Sequence, residues 1–468
     1  MASRLQTAAD LARPVPVCPP ETTVIEAARI MTRAGSSAIL ICGPDGYGIA
    51  TDEDFRRQVA VGAAGETPVS EVMSPTAEAV SPDRLVEDVV IEMLRTNHHH
   101  LLVSNGERLF GVISHHDVLA AEALHPFRIL GEIAAAPIRE ELVVIAGKVP
   151  VAVAAIIRAG LNATRASEVM SLMVDAITRR LLDLAEDELG PSPCRWAWIA
   201  LGSQGRREQA IATDQDHALI YEAAGEDGYF DRLATHVVEG LEACGIPRCP
   251  SGVMASEPGW RLSPEIWAER TRRWITDPDL GRAFFTEIIF DFRQVAGPYP
   301  GEALLTESLV AARQHRPFML RLTRLAVAHR IPLRRFGARL VAPGGVMDVK
   351  TAALRPLTEL ARVLGIEAGS NSPSTQARLR KAAAASVLDG ATSHDLCEAF
   401  ETMMRIRLSH QLRRWEEDLP VDEQIRITEL GRIGRAELAQ ALAAVARAQD
   451  EQKTRLVVAS RLSTAVPG

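Results

Sequence analysis

A chain of 468 residues exceeds one ordinary domain, and at about 100 to 200 residues each it predicts roughly two to four. Its 47% hydrophobic and 24% charged residues lie near globular averages and exclude a disordered or fibrous class. A formal net charge of -8 argues against a broadly basic nucleic-acid surface. The most apolar segment, Val143 to Leu161, holds Lys148 and Arg158, each costing about 2.5 to 3.5 kcal/mol at a bilayer centre, so a buried or amphipathic helix is expected rather than a membrane span. The opening residues MASRLQTAAD hold no apolar signal core and the six cysteines are scattered, which predicts the reducing cytoplasm. Cys244 and Cys249 lack a second Cys or His pair at zinc spacing.

Residues 1–125 contain an internal repeat. VCPPETTVIEAARIMTRAG leads to AILIC and GIATDEDF, and AVSPDRLVEDVVIEMLRTN leads to HLLVS and LFGVISHHDV. Each copy predicts helix, strand, turn, strand, helix. Val24, Ala27, Ala28 and Met31 recur at helical spacing, while Ala38 to Cys42 and Leu101 to Ser104 are short apolar runs bounded by turn residues. Gly48, Thr51 and Asp54 recur as Gly111, Ser114 and Asp117, and on this element the repeat resembles paired CBS domains. The resemblance implies two small α/β modules, an adenine nucleotide as ligand, and a homodimer formed through the pair. A hydroxyl and a carboxylate at a helix start can meet phosphate and ribose hydroxyls; they serve equally well as an N-cap and a first-turn acid. The run His98, His99, His100 reads as a strand entrance, since alternate strand side chains face opposite ways and the three cannot all reach one ion.

Residues 126–190 read as a helical connector, with Ile177, Leu181, Leu184 and Leu189 at mainly helical spacing and a stop at Gly190-Pro191. Residues 191–298 carry the chemistry. Residues 299–468 are predicted to be mostly α, through LRRFGARL, LRPLTELARVLGI, LCEAFETMMRIRLSHQLRRW and RAELAQALAAVARAQDEQ. The expected fold class is therefore multidomain, α/β followed by α.

Trp196 to Leu201 is an apolar strand candidate, followed by Gly202, Ser203, a charged turn, Asp214 and Asp216, and then apolar Ala218 to Tyr221. Two residues apart on an extended strand, Asp214 and Asp216 share a face and can hold one or two divalent cations. Magnesium suits hard oxygen ligands and completes its shell with water and the phosphates of a nucleoside triphosphate. Gly202 permits close backbone approach, Ser203 can donate to phosphate oxygens, and Arg206 can neutralise departing pyrophosphate. Glu208 can instead hold Arg206 or Arg207 in place. An Asp-x-Asp alone is common in solvated loops.

The assembled GSQGRREQAIATDQD resembles the DNA polymerase beta nucleotidyltransferase superfamily, whose pattern is Gly-Ser, a spacer, then Ser or Thr-Asp-x-Asp. It is similar in particular to the nucleotidyltransferases that follow paired CBS domains and resemble PII-protein uridylyltransferases. CPSGVMASEPGW, IIFDFRQVAG, GGVMDVK and RIRLSHQ follow in that family's order. The resemblance implies a magnesium-dependent transfer of a nucleoside monophosphate, uridylyl or adenylyl, to a hydroxyl. The acceptor would be a regulatory protein offering a tyrosyl hydroxyl, docked on the helical region from Leu304 onward. CBS ligand binding would regulate the rate. His217 stands where relatives often have Asn, which bears on the geometry behind the carboxylates.

A third carboxylate is expected from a neighbouring strand. Asp291, in the apolar run Ile288 to Phe292, is the first candidate, balanced by Arg293 or a metal; Glu257, after a strand candidate at Val253 to Ser256, is the rival, and a structural salt bridge at Asp291 is an equal alternative. A reading from another class makes the chain a non-catalytic adenine-nucleotide sensor using the transferase fold as a binding platform, against which the intact Asp214 and Asp216 count. No His-Asp cluster of a phosphohydrolase stands out.

Overall fold

The computed structural model describes residues 7–43, 46–60, 65–74, 78–96, 98–106, 108–115, 117, 125–158, 162–222, 227–277, 288–333 and 340–464. They form two compact units, Met1–Phe127 and Arg128–Gly468.

The first unit follows a short helix α1 (Ala8–Leu11) with β1 (Val17–Cys18), α2 (Val24–Ala34), β2 (Ala38–Gly43), β3 (Gly46–Thr51) and α3 (Asp52–Ala60). It then repeats the order as β4 (Ala79–Val80), α4 (Val86–Thr96), β5 (His100–Ser104) and β6 (Leu109–Ser114). Each copy is a three-stranded sheet whose first pair is parallel and second antiparallel. In β2, Ile39 and Ile41 face α2 through Ala27 and Met31, while Ala38 and Leu40 pack with Leu102 and Val112 of the other sheet. Strand alternation thus buries both faces, which is why β2 reads as a continuous apolar run. Thr23 accepts the Glu26 amide at 3.2 Å to start α2, and Gly35, at φ 62°, stops it.

Helices α5 (His125–Ala135), α6 (Arg139–Ala146), α7 (Val149–Arg158) and α8 (Ala163–Leu189) come next. The next elements are β7 (Trp196–Ala200), α9 (Gly202–Arg206), β8 (His217–Tyr221), α10 (Asp227–Ala243), β9 (Arg261–Leu262), α11 (Pro264–Thr276) and β10 (Arg293–Ala296). Beyond them lie α12 (Gly301–Gln314), α13 (Arg316–Ala328), β11 (Val346–Asp348), a π-turn (Lys350–Leu354), α14 (Arg355–Glu367), α15 (Thr375–Ala384), α16 (Gly390–Glu416), β12 (Gln424–Arg426) and α17 (Arg432–Thr464). The sheet order is β10-β7-β8-β9, with β7 antiparallel to both neighbours and every residue of β7 and β8 buried. No described helix is long and apolar enough to cross a membrane.

Five features differ from the sequence reading. The stretch read as a connector is helical, but residues 166–175 of α8 are buried on every face, against α10 and α16. Val253 to Ser256 is a turn, because its backbone is taken by His217: Val253 accepts the His217 amide at 3.1 Å and Ala255 donates to His217 Nδ1 at 3.0 Å. Ile288 to Asp291 is also a turn, with β10 starting only at Arg293. In LRRFGARL, Leu333 and Leu340 form an antiparallel bridge and the residues between fall outside the described ones. The small β11-β12 ladder was too short to announce itself amid helical periodicity.

Candidate active site

The loop between β7 and β8 is shaped by glycine. Leu201 donates to the Asp216 carbonyl at 2.8 Å, which brings the start of α9 against the second aspartate. Gly202 sits at φ 56°, and a Cβ there would lie 2.7 Å from Asp216 Oδ2. A Cβ on Gly205 would collide with the Asp291 carbonyl, so both glycines of GSQG are required by close approach. Arg207, at φ 58°, ends the helix.

Helices far along the chain then hold the loop. Glu208 accepts Arg206 Nε at 2.7 Å, the Thr375 amide at 2.6 Å and Thr375 Oγ1 at 2.9 Å. Gln411 Oε1 accepts the Ala212 amide at 3.0 Å.

Asp214 and Asp216 lie just before β8 rather than within it, yet the alternation persists. Gln215 points the other way, donating to the carbonyls of Val238 at 3.1 Å and Ile246 at 2.8 Å. The ligand atoms of Asp214, Asp216 and Cys249 all lie within 4.8 Å of one another. Asp216 Oδ1 is shut from solvent and accepts no hydrogen bond. Burial, then the neighbouring Asp214, push the Asp216 carboxyl up to about 7. Burial and then Asp216 push the Cys249 thiol up to about 11, so it stays protonated beside the carboxylate. A buried carboxylate oxygen without a donor, beside a second carboxylate, fits a hard divalent cation; a neutral thiol adds little to such a site.

Behind the pair, His217 accepts the Ala255 amide at Nδ1, so its proton is on Nε2, 3.1 Å from Gln215 Oε1. Burial pushes its pKa down to about 3 and keeps it neutral.

A cavity of about 300 Å³ joins these groups. Gly202, Ser203, Arg206, Asp214 and Asp216 line one side; Lys350, Arg355, Arg362 and Arg407 line the other, over the apolar side chains of Leu354, Phe400 and Met404.

Asp291 is not brought to the acidic pair. It is fully buried and accepts Arg206 Nη1 at 2.5 Å, Arg362 Nε at 3.0 Å, Arg362 Nη2 at 2.6 Å and Arg378 Nη1 at 2.5 Å. Burial alone would raise its pKa, but Arg362, Arg378 and Arg206 together hold it far below the usual carboxylate range. It is the hub of an ion cluster, the structural alternative weighed from sequence, and its partners are these three arginines rather than Arg293. Arg293 pairs with Asp175 at 2.8 Å. Glu257 is exposed in the turn after Met254. Arg206 reaches the cavity wall while tied to Glu208 and Asp291.

In the first unit, Thr51 and Asp54 line a cavity of about 1070 Å³ with His98, His99, His100 and His115. Asp54 Oδ2 accepts the Thr51 amide at 2.9 Å and its hydroxyl at 2.8 Å. Asp117 Oδ2 accepts the Ser114 amide at 2.9 Å and hydroxyl at 2.5 Å, and its other oxygen pairs with Arg13. Both elements therefore bond to themselves across the helix start. The histidines do diverge: His98 meets Glu78 at 2.6 Å, His100 meets Ser37 at 3.0 Å, and the His99 ring centroid is 4.9 Å from that of His115. β5 opens at His100, as expected of a strand entrance.

Sequence reasoning missed Lys350, Arg362, Arg407 and Cys249 as site residues. Lys350, Arg407 and Cys249 lie in GGVMDVK, RIRLSHQ and CPSGVMASEPGW, and Arg362 in the helical LRPLTELARVLGI, but no spacing links them to the aspartates.

The chain is similar to known families and solved structures. Residues 147–281 match the family described as "Putative nucleotidyltransferase DUF294", residues 316–456 match "Putative nucleotidyltransferase substrate binding domain", and residues 8–61 and 69–124 each match the CBS domain. Among solved structures, a signal-transduction protein with CBS domains from Burkholderia ambifaria is 25% identical, over 25% of this chain and 93% of that one, with a TM-score of 0.24. A CBS-domain protein from Agrobacterium tumefaciens is 25% identical, over 26% and 97%, at 0.25. A CBS domain protein from Pyrobaculum aerophilum, complexed with AMP, is 21% identical, over 24% and 89%, at 0.23. None of the curated proteins compared matches the chain. With a CBS pair, the transferase domain and its substrate-binding domain following one another, the chain belongs to the CBS-domain-containing "putative nucleotidyltransferase" family.

Proposed function

We propose that the chain is a magnesium-dependent nucleotidyltransferase that moves a nucleoside monophosphate from a triphosphate to a hydroxyl, under control of a nucleotide bound by its CBS pair. The observation that carries the reading is the bare, buried Oδ1 of Asp216 beside Asp214 and next to Gly202 in one cavity. Asp214 and Asp216 hold the cation. Bound there, magnesium supplies charge neutralisation and in-line orientation of the triphosphate. Gly202 lets the phosphates approach the backbone, and the Ser203 amide and hydroxyl donate to them. Arg206, fixed by Glu208 and Asp291, presents a preset positive charge to the departing pyrophosphate.

In the transfer the acceptor oxygen bonds to the α-phosphorus, the bond to the bridging oxygen breaks, and pyrophosphate leaves with that electron pair. The acceptor proton passes to water. The acceptor we favour is a tyrosyl hydroxyl of a regulatory protein in the cytoplasm, uridylylated or adenylylated after docking on the helical region. In the CBS pair, Thr51 and Asp54, and Ser114 and Asp117, would exchange their mutual hydrogen bonds for phosphate and ribose hydroxyls of an adenine nucleotide. A homodimer through that pair completes the reading.

The test is to incubate the full chain with magnesium and each labelled nucleoside triphosphate in lysate and identify labelled acceptors by mass spectrometry. Labelling should vanish in the double variant Asp214→Ala, Asp216→Ala. Labelling that survives would sink the site. Nucleotide binding to the CBS pair without any labelling would leave the chain a sensor.

A further inference from the structure

The positive groups around the cavity are not equivalent. Arg206 and Arg362 are bound to Asp291 at 2.5 and 2.6 Å, and Arg407 is buried against Glu423. These guanidiniums are held in place by short charge-assisted bonds and cannot follow a substrate. Arg355, 43% exposed, is bound to Glu359 at 2.6 Å, and Lys350 differs from these arginines in its looser contact. Its side chain is 46% exposed, and its ammonium stands 3.6 Å from Asp214 Oδ1, beyond hydrogen-bond length. It therefore makes a loose ion pair on the cavity wall, and makes it with Asp214, a proposed metal ligand.

The backbone beneath Lys350 is fixed. It leaves β11, whose ladder with β12 pins Asp348 opposite Gln424, and Asp348 accepts the Thr351 amide at 2.8 Å and the Gln424 side-chain amide at 3.0 Å. Lys350 then opens the π-turn Lys350–Leu354 that leads into α14. Such wide turns are frequent at functional sites. Here the turn carries a flexible four-carbon stem on a rigid base, at the mouth of a cavity shared with Ser203 and Asp216.

Resting on the transferase reading, we propose that Lys350 is a catalytic residue of the helical domain: its ammonium holds the place of the cation at Asp214 and moves onto the triphosphate when metal and nucleotide bind. The exchange follows from charge. A divalent cation on Asp214 repels an ammonium less than 4 Å away, and the triphosphate is the anion within the lysine's reach. There Lys350 neutralises the oxygens of the leaving pyrophosphate as the bond to the α-phosphorus breaks. The segment that matches the "Putative nucleotidyltransferase substrate binding domain" thus binds the nucleotide.

The proposal makes two affinities move in opposite directions. In Lys350→Ala, Mn²⁺ alone, followed by electron paramagnetic resonance of the free ion, should bind roughly threefold tighter, because its competitor for Asp214 is gone. With Mn²⁺ saturating, each of the four labelled nucleoside triphosphates that binds the wild type in equilibrium dialysis should bind roughly tenfold more weakly. Lys350→Arg should restore most of the nucleotide affinity. A residue that merely supports the fold would weaken both, and that result, or nucleotide affinity unmoved in Lys350→Ala, overturns the proposal alone. A wild-type chain that binds no triphosphate with Mn²⁺ overturns the transferase reading and the role of Lys350 with it.

Discussion

Replacing Asp291 by Asn separates the structural role of this carboxylate from a catalytic one. The amide keeps the shape but removes the charge that three buried guanidiniums share, leaving Glu208 as the remaining anion on Arg206. Four short bonds, each worth about 1.5 to 3 kcal/mol to a charged group, give a ceiling well above what is observed when one partner of a buried ion cluster is removed, about 3 to 5 kcal/mol. We expect a loss near 4 kcal/mol. Spread over a unit of about 340 residues, this lowers the thermal midpoint by about 5 to 6 °C.

The pH dependence has a defined sign. The Asp291 carboxyl titrates near 3.9 in the unfolded chain and far lower in the folded one. Its stabilisation is fully present above pH ~4 and is lost as the pH falls toward its folded pKa. The gap between wild type and Asp291→Asn should thus be flat from neutral pH to about 5 and shrink by about 1.4 kcal/mol per unit below 4. Calorimetry of the full chain across that range is the assay. A midpoint within 1 °C of wild type would refute the hub; an unchanged midpoint with Mn²⁺ binding lost would return Asp291 to the metal.

Gly202→Ala puts a methyl group 2.7 Å from Asp216 Oδ2 at a φ of 56°, so Mn²⁺ binding should fall at least tenfold while stability drops by only about 1 to 2 kcal/mol; wild-type titration would contradict the close approach. Gly365→Ala would press a Cβ to within 2.5 Å of Arg378 Cγ, displacing a fully buried guanidinium, and should cost about 1 to 3 kcal/mol in urea unfolding, with a neutral result counting against the packing. In the full chain, AMP, ADP or ATP at a hundredfold excess over its Kd should stabilise by about 2.7 kcal/mol, and Asp54→Ala should abolish most of that shift; calorimetry showing the same heat of binding in wild type and variant would remove Asp54 from the ligand site.

What was legible in the sequence was what neighbours in the chain decide. β7, β8, the two glycines and the acidic pair lie within about two dozen residues, and their alternation and turn chemistry are local. The repeat was legible because it is written twice. The partners of Asp291 were not, since Arg362 and Arg378 come 71 and 87 positions later and no periodicity encodes that distance.

Helix α8 hid its burial for another reason. Ser171, Asp175 and Thr178 are polar, but Ser171 and Thr178 return their hydroxyls to the carbonyls four residues back at 3.0 and 2.8 Å, and Asp175 meets Arg293 and Gln204. Polar groups satisfied internally can be buried all round, and composition alone does not distinguish them from wet ones. Asp291 looked catalytic because a charged residue between aromatics demands compensation; the compensation came as arginine rather than metal.

The clamp on the loop of the acidic pair also sets an order of events during synthesis. Ala212 waits for Gln411, Glu208 for Thr375, and the first turn of α8 for Glu401, which accepts the Ala163 amide at 2.6 Å from 238 positions away. At about 5 to 20 residues per second, the ribosome leaves this loop unsupported for roughly 10 to 40 seconds. A nascent chain ending near the boundary between the two matched family segments carries the whole acidic motif without the helices that hold it. Truncation there should yield a protease-sensitive, chaperone-dependent product rather than a minimal enzyme.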